Sequence, residues 1–217
     1  MKWDSKLYAQ RHGFVAEYGA ELLNFVPYDR NQRILDLGCG VGTLTGRLKE
    51  RAGYVLGVDS SPDMVRQARE LHPEQDFEVR DALSLDFFEE WDVIFSNAVF
   101  HWIQNQRELL RQVSRALKPG GLLVCELGAA GNIAVIEEAF CRALGKQGIL
   151  YTSKFCFPDA KAFSALAEAA GLKVDTAVEF ERPTHLKDGE KGLFYWARQF
   201  YRDELEALPQ KGQEEAL

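Results

Sequence analysis

The stretch ILDLGCGVGTL, residues 34–44, decides the fold of this chain. An apolar run that contains an acid, Asp36, leads into a loop in which glycine recurs at positions 38, 40 and 42. Because glycines have no side chain, a ligand can approach the main chain there and reach the amino end of the next helix. The stretch therefore predicts a buried strand, a ligand-binding loop and a helix, in that order.

Strand-like and helix-like segments alternate around this unit, which is the pattern of an α/β fold. Strands are expected at residues 33–37, 54–58, 77–79, 91–96, 122–126 and 172–180. Helices are expected at residues 42–51, after the caps Ser61 and Asn105, and at residues 159–170. Short strands joined by helices imply right-handed crossovers. The sequence thus predicts a doubly wound, mostly parallel sheet with helices on both faces and ligands at its carboxyl edge.

Composition limits the kinds of partner. The 217 residues fit one large domain, and their formal net charge is −7 without any dense Lys/Arg stripe. Binding to nucleic acid or to an anionic membrane needs positive surface, so a small-molecule partner is expected instead. No apolar leader or membrane-spanning stretch is visible, which predicts a cytoplasmic protein. The four cysteines form no C-x-x-C pair, so neither a metal site nor a disulfide framework is expected.

The glycine spacing selects among cofactors. A dinucleotide fingerprint reads G-x-G-x-x-G, whereas here the third glycine, Gly42, falls one residue early and Thr43 takes its place. Asp36 ahead of the loop would repel a pyrophosphate but would favour a ligand that carries an ammonium and a sulfonium. S-adenosylmethionine is such a ligand. An NAD(P)-dependent oxidoreductase and a non-catalytic cofactor-binding protein remain the alternatives.

Two further acids stand where such a cofactor needs them. Asp59 ends the second strand about 20 residues beyond the glycines, the position of an acid that accepts hydrogen bonds from ribose hydroxyls. Asp81 and Ala82 follow the third strand, where they would meet an adenine edge. Each acid also has an ordinary structural interpretation, because Asp59 could cap the next helix and Asp81 could belong to a turn.

At these motifs the sequence resembles the class I S-adenosylmethionine-dependent methyltransferases, which are Rossmann-like. ILDLGCGVG, GVDSSPDMV, VRDA, FSNAVFHW and LKPGGLL occur in the family's order, and the FSNAVFHW and FERPT segments resemble the branch that contains the trans-aconitate methyltransferases. The resemblance implies that S-adenosylmethionine is bound and S-adenosylhomocysteine released. It places the following residues at the cofactor: Asp36, Gly38 and Gly40 at the methionine end, Asp59 at the ribose, Asp81 and Ala82 at the adenine, the Asn97 backbone at the methionine amino group, and Ser60 and Met64 as further cofactor-binding residues.

The resemblance also suggests three parts of the chain. Residues 1–30 would form a helical lid, residues 31–128 the cofactor-binding core, and residues 129–217 the substrate-side helices with the sixth strand. The family's seventh, antiparallel strand is not visible, so the chain is expected to be truncated before that strand. Residues that could line the substrate chamber are Tyr8, His12, Phe14, Trp102, Phe194, Trp196 and Phe200. Leu193, Trp196, Phe200 and Tyr201 recur with helical spacing, and a core-packing stripe explains these late residues equally well.

The methyl acceptor is expected to be an oxygen of a small organic molecule, with a carboxylate as one candidate. A carboxylate is ionised at neutral pH and needs no base, whereas an alcohol must lose a proton. His101 is the candidate base, and a lone histidine that packs beside the cofactor is the alternative. Arg182 and Arg11 are candidates for pairing with a substrate carboxylate.

Overall fold

Five strands and eight helices make up the part of the chain that the computed structural model describes, residues 14–186, 189–210 and 212–213. The strands are β1 (Asp29–Leu37), β2 (Ala52–Asp59), β3 (Asp76–Val79), β4 (Trp91–Asn97) and β5 (Leu117–Glu126). The helices are α1 (Phe14–Leu22), α2 (Thr43–Lys49), α3 (Pro62–Leu71), α4 (Gln106–Ala116), α5 (Ala134–Lys146), α6 (Ala160–Ala169), α7 (Glu190–Phe200) and α8 (Arg202–Glu206).

The strands form one parallel sheet in the order β3-β2-β1-β4-β5. The chain first adds strands on one side of β1 and then on the other, so the strand order reverses between β1 and β4. In such sheets ligands bind outside the carboxyl ends of the strands at that reversal. The predicted doubly wound fold is confirmed, and the glycine loop after β1 lies at the reversal.

Two apolar layers cover the two faces of the sheet, because successive side chains of a strand point to opposite faces. In β1, Leu35 and Leu37 belong to the cluster that includes α4 and α6. Ile34 belongs instead to the cluster that includes Leu44 and Leu48 of α2. All five of these side chains are at most 8% exposed. The helices therefore lie on both faces, as predicted.

Three helices begin at the polar residues that the sequence indicates. The Ser61 hydroxyl accepts from the Met64 amide at 3.3 Å, and the Asn105 side chain accepts from the Glu108 amide at 3.2 Å. Asp159 accepts from the backbone amide at position 162 at 2.7 Å. Each such cap contributes about 1 kcal/mol to helix stability. The capping predictions at Ser61 and Asn105 are confirmed.

The predicted sixth strand is wrong. The structure shows no strand over residues 172–180, although Leu172 and Val174 pack against the core. Beyond Val174 the side chains on both sides of the segment are exposed, including Val178 at 71% and Phe180 at 57%. A strand with alternating apolar residues is held in register when one of its faces is buried. In this segment the burial ends after Val174.

Several features that would suggest other functions are missing from residues 14–186, 189–210 and 212–213. Within these ranges no helix is long and apolar enough to cross a membrane. The same ranges contain no group of three or more His, Cys, Asp or Glu side chains that could hold a metal ion. All four cysteines fall within the described residues and are free.

Candidate functional site

The glycine loop crosses from the end of β1 to the end of β2. The backbone amides of Gly38 and Cys39 both donate to the Val58 carbonyl, at 2.8 and 2.9 Å. A Cβ at Gly38 would lie 2.2 Å from the Val99 side chain, so this position has no room for one. At Gly40, which has φ +55°, a Cβ would meet no atom of the described residues within 4 Å. Among these residues, the space directly above the main chain at Gly40 is therefore open.

Asp59 connects the loop to the start of α3. One carboxylate oxygen accepts from the Gly40 amide at 3.0 Å, and the other accepts from the Ser61 amide at 2.8 Å. Burial raises the pKa of Asp59, and these two hydrogen bonds oppose that shift. Ser61, rather than Asp59, caps the helix. Because an ionised carboxylate has about four lone-pair sites, Asp59 in that state retains acceptor capacity beyond these two amides.

Asp36 lies beneath the loop and is only 2% exposed. The Thr45 hydroxyl donates to its carboxylate at 2.6 Å. Burial raises the pKa of Asp36 to about 7, and the Thr45 hydrogen bond opposes that shift. With such a pKa, Asp36 is partly protonated near neutral pH, and a nearby cation would favour its ionised form.

The other residues expected at the cofactor follow the ends of β2 and β3. Ser60 is exposed, whereas Met64 and Ala82 are buried. Asp81 accepts from the Leu83 amide at 2.9 Å, which is the hydrogen bond of an Asx turn. The turn interpretation of Asp81 thus has direct support, and the residue is exposed.

Helix α1 covers the carboxyl end of β4. The helix packs against α2, β4 and β5. A Cβ at Gly19 would lie 2.7 Å from the side-chain nitrogen of Asn97, so a larger residue would force that side chain to move. Asn97 lies opposite Glu126 in the parallel register of β4 and β5. The next residue, Ala98, has φ +58°, and its amide donates to the Glu126 carbonyl at 2.8 Å.

His101 is held by a backbone hydrogen bond. Its Nδ1 accepts from the Gly128 amide at 3.0 Å. Its ring stacks on Phe157 at a centroid distance of 5.4 Å. Burial lowers the pKa of His101 to about 4, so the ring is neutral at neutral pH. Because Nδ1 accepts a hydrogen bond from the Gly128 amide, the proton of the neutral ring is on Nε2. At Nε2, His101 can therefore donate a hydrogen bond but cannot act as a base.

The aromatic residues that were predicted to line the substrate chamber differ in their packing. Trp102 lies beside Phe155 and Phe200, with ring centroids 4.6 and 5.7 Å away, and Trp196 packs on Phe200 at 4.6 Å. Phe194 is 36% exposed. The late aromatic residues except Phe194 therefore pack as a core stripe that reaches Trp102. Tyr8, His12 and Arg11 lie outside the described residues, and Phe14 begins α1.

Arg182 is brought to the same edge of the sheet. Its Nη1 lies 2.9 Å from a carboxylate oxygen of Glu126, the last residue of β5. Its guanidinium lies over the Tyr18 ring at 4.6 Å and over the Phe180 ring at 4.7 Å. Burial raises the pKa of Glu126, and the charge of Arg182 opposes that shift. The positive charge of Arg182 is therefore already compensated within the protein.

Several contacts of the site had no signal in the sequence. Nothing local marks Thr45 as the partner of Asp36, Gly128 as the donor to His101, or Glu126 as the partner of Arg182. These partners are separated by 9, 27 and 56 residues along the chain. Only the folded sheet, whose carboxyl ends meet at one edge, brings them together.

The site fits the methionine and ribose portions of S-adenosylmethionine. The space that the described residues leave open at Gly40 is a cradle that a side chain would fill, and the amide of Gly40 donates to the Asp59 carboxylate. Asp36 can compensate a ligand cation once it is ionised. A pyrophosphate would instead face these two acids, which favours the sulfonium cofactor over a dinucleotide.

Comparison with known proteins agrees with this assignment. Residues 35–125 match the family model described as a methyltransferase domain. The chain is 33% identical to an uncharacterized methyltransferase of Schizosaccharomyces pombe over 222 aligned positions, which cover 96% of this chain and 84% of that protein. This chain belongs to the S-adenosylmethionine-dependent methyltransferases. The predicted family and cofactor are confirmed, and the nicotinamide alternative is not supported.

This methyltransferase is also similar to two proteins with more specific names. It is 30% identical to a trans-aconitate 2-methyltransferase of Methylobacterium nodulans, with 90% of this chain and 78% of that protein covered. A TehB-like SAM-dependent methyltransferase from Corynebacterium glutamicum is 28% identical and superposes with a TM-score of 0.54, covering 76% of this chain and 82% of that one. The methyltransferase fold thus extends well beyond the residues of the family model.

Proposed function

We propose that this methyltransferase acts on a small organic acid and transfers the methyl group to an oxygen of a carboxylate. The observation that carries the proposal is the geometry of His101. Its Nδ1 accepts from the Gly128 amide, and its pKa is lowered to about 4. In this state His101 cannot remove a proton through Nε2, and a carboxylate is the oxygen acceptor that needs no proton removed.

The cofactor supplies an electrophilic methyl group on a sulfonium that leaves as a neutral thioether. The attacking carboxylate oxygen forms the new C–O bond as the C–S bond breaks, and no proton is transferred. Asp36 and the loop at Gly40 would hold the methionine end, and Asp59 the ribose. The chain's remaining task is to align the acceptor and exclude water, the source of most of the rate in such a displacement.

His101 would contribute to that alignment as a hydrogen-bond donor. Its Nε2–H can donate to an oxygen of the acceptor while Phe157 holds the ring plane. Apolar rings with a few polar groups suit a small organic substrate, and Trp102 with Phe155 supplies such walls beside His101. The relative named trans-aconitate 2-methyltransferase supports an organic acid as the substrate.

Transfer of a labelled methyl group across a panel of metabolites tests the proposal. The panel should contain di- and tricarboxylic acids, the corresponding alcohols and a set of amines, each with saturating cofactor. The expected product is a methyl ester, from which mild alkali releases the label as methanol. Label that stays attached after alkali would show an ether or amine product and would overturn the carboxylate assignment.

A further inference from the structure

Arg182 occupies an unusual position for an arginine of an irregular segment. Its side chain is only 22% exposed. The guanidinium lies over two aromatic rings, Tyr18 of α1 at 4.6 Å and Phe180 of its own segment at 4.7 Å. A planar, weakly hydrated guanidinium suits such stacking better than any other charged side chain.

The edge of the guanidinium is directed to the end of β5. Nη1 lies 2.9 Å from one oxygen of Glu126, and Nη2 donates to the other at 3.2 Å. The Glu126 side chain is 27% exposed, so solvent screens this pair less than it would a surface pair. Glu21 of α1 approaches to 3.9 Å but is 83% exposed, and its contribution is correspondingly small.

These contacts of Arg182 join α1 to the carboxyl end of β5. Tyr18 precedes Gly19, whose Cα is packed against the Asn97 side chain at the end of β4. Asn97 lies opposite Glu126 in the sheet. A side chain that holds Tyr18 against Glu126 therefore also holds α1 over the carboxyl ends of β4 and β5.

We propose that Arg182 is a positioning residue that fastens α1 to the end of β5 and thereby slows release of the cofactor and its product. Arg182 does not need to touch either molecule for this role. Its charge is compensated by Glu126 and its faces are covered by rings, so it is not the anchor of a substrate carboxylate. This role of Arg182 concerns the carboxyl edge of the sheet, where the cofactor would bind, and does not depend on the identity of the methyl acceptor.

The dissociation rate of S-adenosylhomocysteine from the full chain measures this role without any acceptor. For Arg182→Gln we expect dissociation to be about tenfold faster, the combined effect of losing two ring contacts and one ion pair. Arg182→Lys keeps the charge but not the planar group, so an intermediate rate is expected. Arg198→Gln is the matched control, because Arg198 also lies over a ring, Phe194, at 5.5 Å but on α7. Its dissociation rate should equal that of the wild type.

Hydrogen exchange distinguishes a specific release of α1 from a general loss of stability in the Arg182 variant. In the wild type, bound S-adenosylhomocysteine should slow amide exchange in a peptide that covers residues 18–26, and Arg182→Gln should remove most of that effect. Phe180→Leu provides a milder test, since Phe180 is 57% exposed and its loss leaves the core intact; it should accelerate dissociation by about threefold. Wild-type dissociation rates in both Arg182→Gln and Phe180→Leu, or unchanged ligand protection of α1, would overturn the proposal.

Discussion

Asp36→Asn should stabilise the ligand-free protein, and the gain should grow with pH. Asp36 is 2% exposed, and burial raises its pKa from an ordinary value of 3.8 to about 7. Because the folded pKa is raised, the folded state binds more protons than the unfolded chain between these values, and ionisation opposes folding. Stability is therefore lost as the pH rises through this window, and the full cost is present above about pH 7.

The size of the effect follows from the interval between the two pKa values. At about 1.36 kcal/mol for each pH unit, the full cost is ~4 kcal/mol, and the part that develops between about pH 5 and pH 8 is ~2.5 kcal/mol. Asparagine carries no charge, and its side-chain oxygen can still accept from the Thr45 hydroxyl. Asp36→Asn should escape this pH-dependent cost.

Urea unfolding of wild type and Asp36→Asn at both pH values is the assay. The difference in free energy of unfolding between the two proteins should increase by ~2.5 kcal/mol from about pH 5 to pH 8. Groups other than Asp36 titrate in both proteins and largely cancel in this difference. A difference that is the same at both pH values would refute the reasoning, because Asp36 would then ionise with an ordinary pKa.

Two further substitutions examine the loop above Asp36. Gly40→Val should leave the fold intact but weaken S-adenosylhomocysteine binding by about a hundredfold, as measured by calorimetry. The branched side chain would strain a backbone at φ +55° and fill the open space beside it. Unchanged affinity would place the cofactor elsewhere. Asp59→Ala should cost ~1.5–3 kcal/mol of binding free energy, the scale of hydrogen bonds to a charged group, and should also lower the melting temperature because two backbone amides lose their acceptor. If only the melting temperature falls, Asp59 serves the loop and not the ribose.

The sheet and the cofactor loop were predictable because their signals are local. An apolar strand, alternating glycines and a following helix occupy residues 34–49, and every part of that pattern acts on its sequence neighbours. The caps at Ser61 and Asn105 act within three residues of themselves. Such short-range patterns determine where the elements begin and end and which faces are buried.

The parts that could not be predicted depend on contacts between distant segments. Residues 172–180 alternate like a strand, but a strand also needs a neighbour and a buried face, and past Val174 the fold supplies neither. The proton position on His101 is set by an amide 27 residues away, and the charge of Arg182 is compensated by a carboxylate 56 residues away. A side chain's type was visible in the sequence, whereas its partner was not.

The turnover number against pH, for wild type and His101→Ala, tests most directly whether the acceptor needs a base. The measurement uses saturating cofactor and the best organic acid from the panel. With a carboxylate acceptor, His101→Ala should lower the turnover number by less than about tenfold, and removing the histidine should not abolish any rise of the rate with pH. A loss of more than about a thousandfold, together with a wild-type rate that rises with pH as a histidine loses its proton and a variant in which this rise is absent, would contradict the account and make His101 the catalytic base.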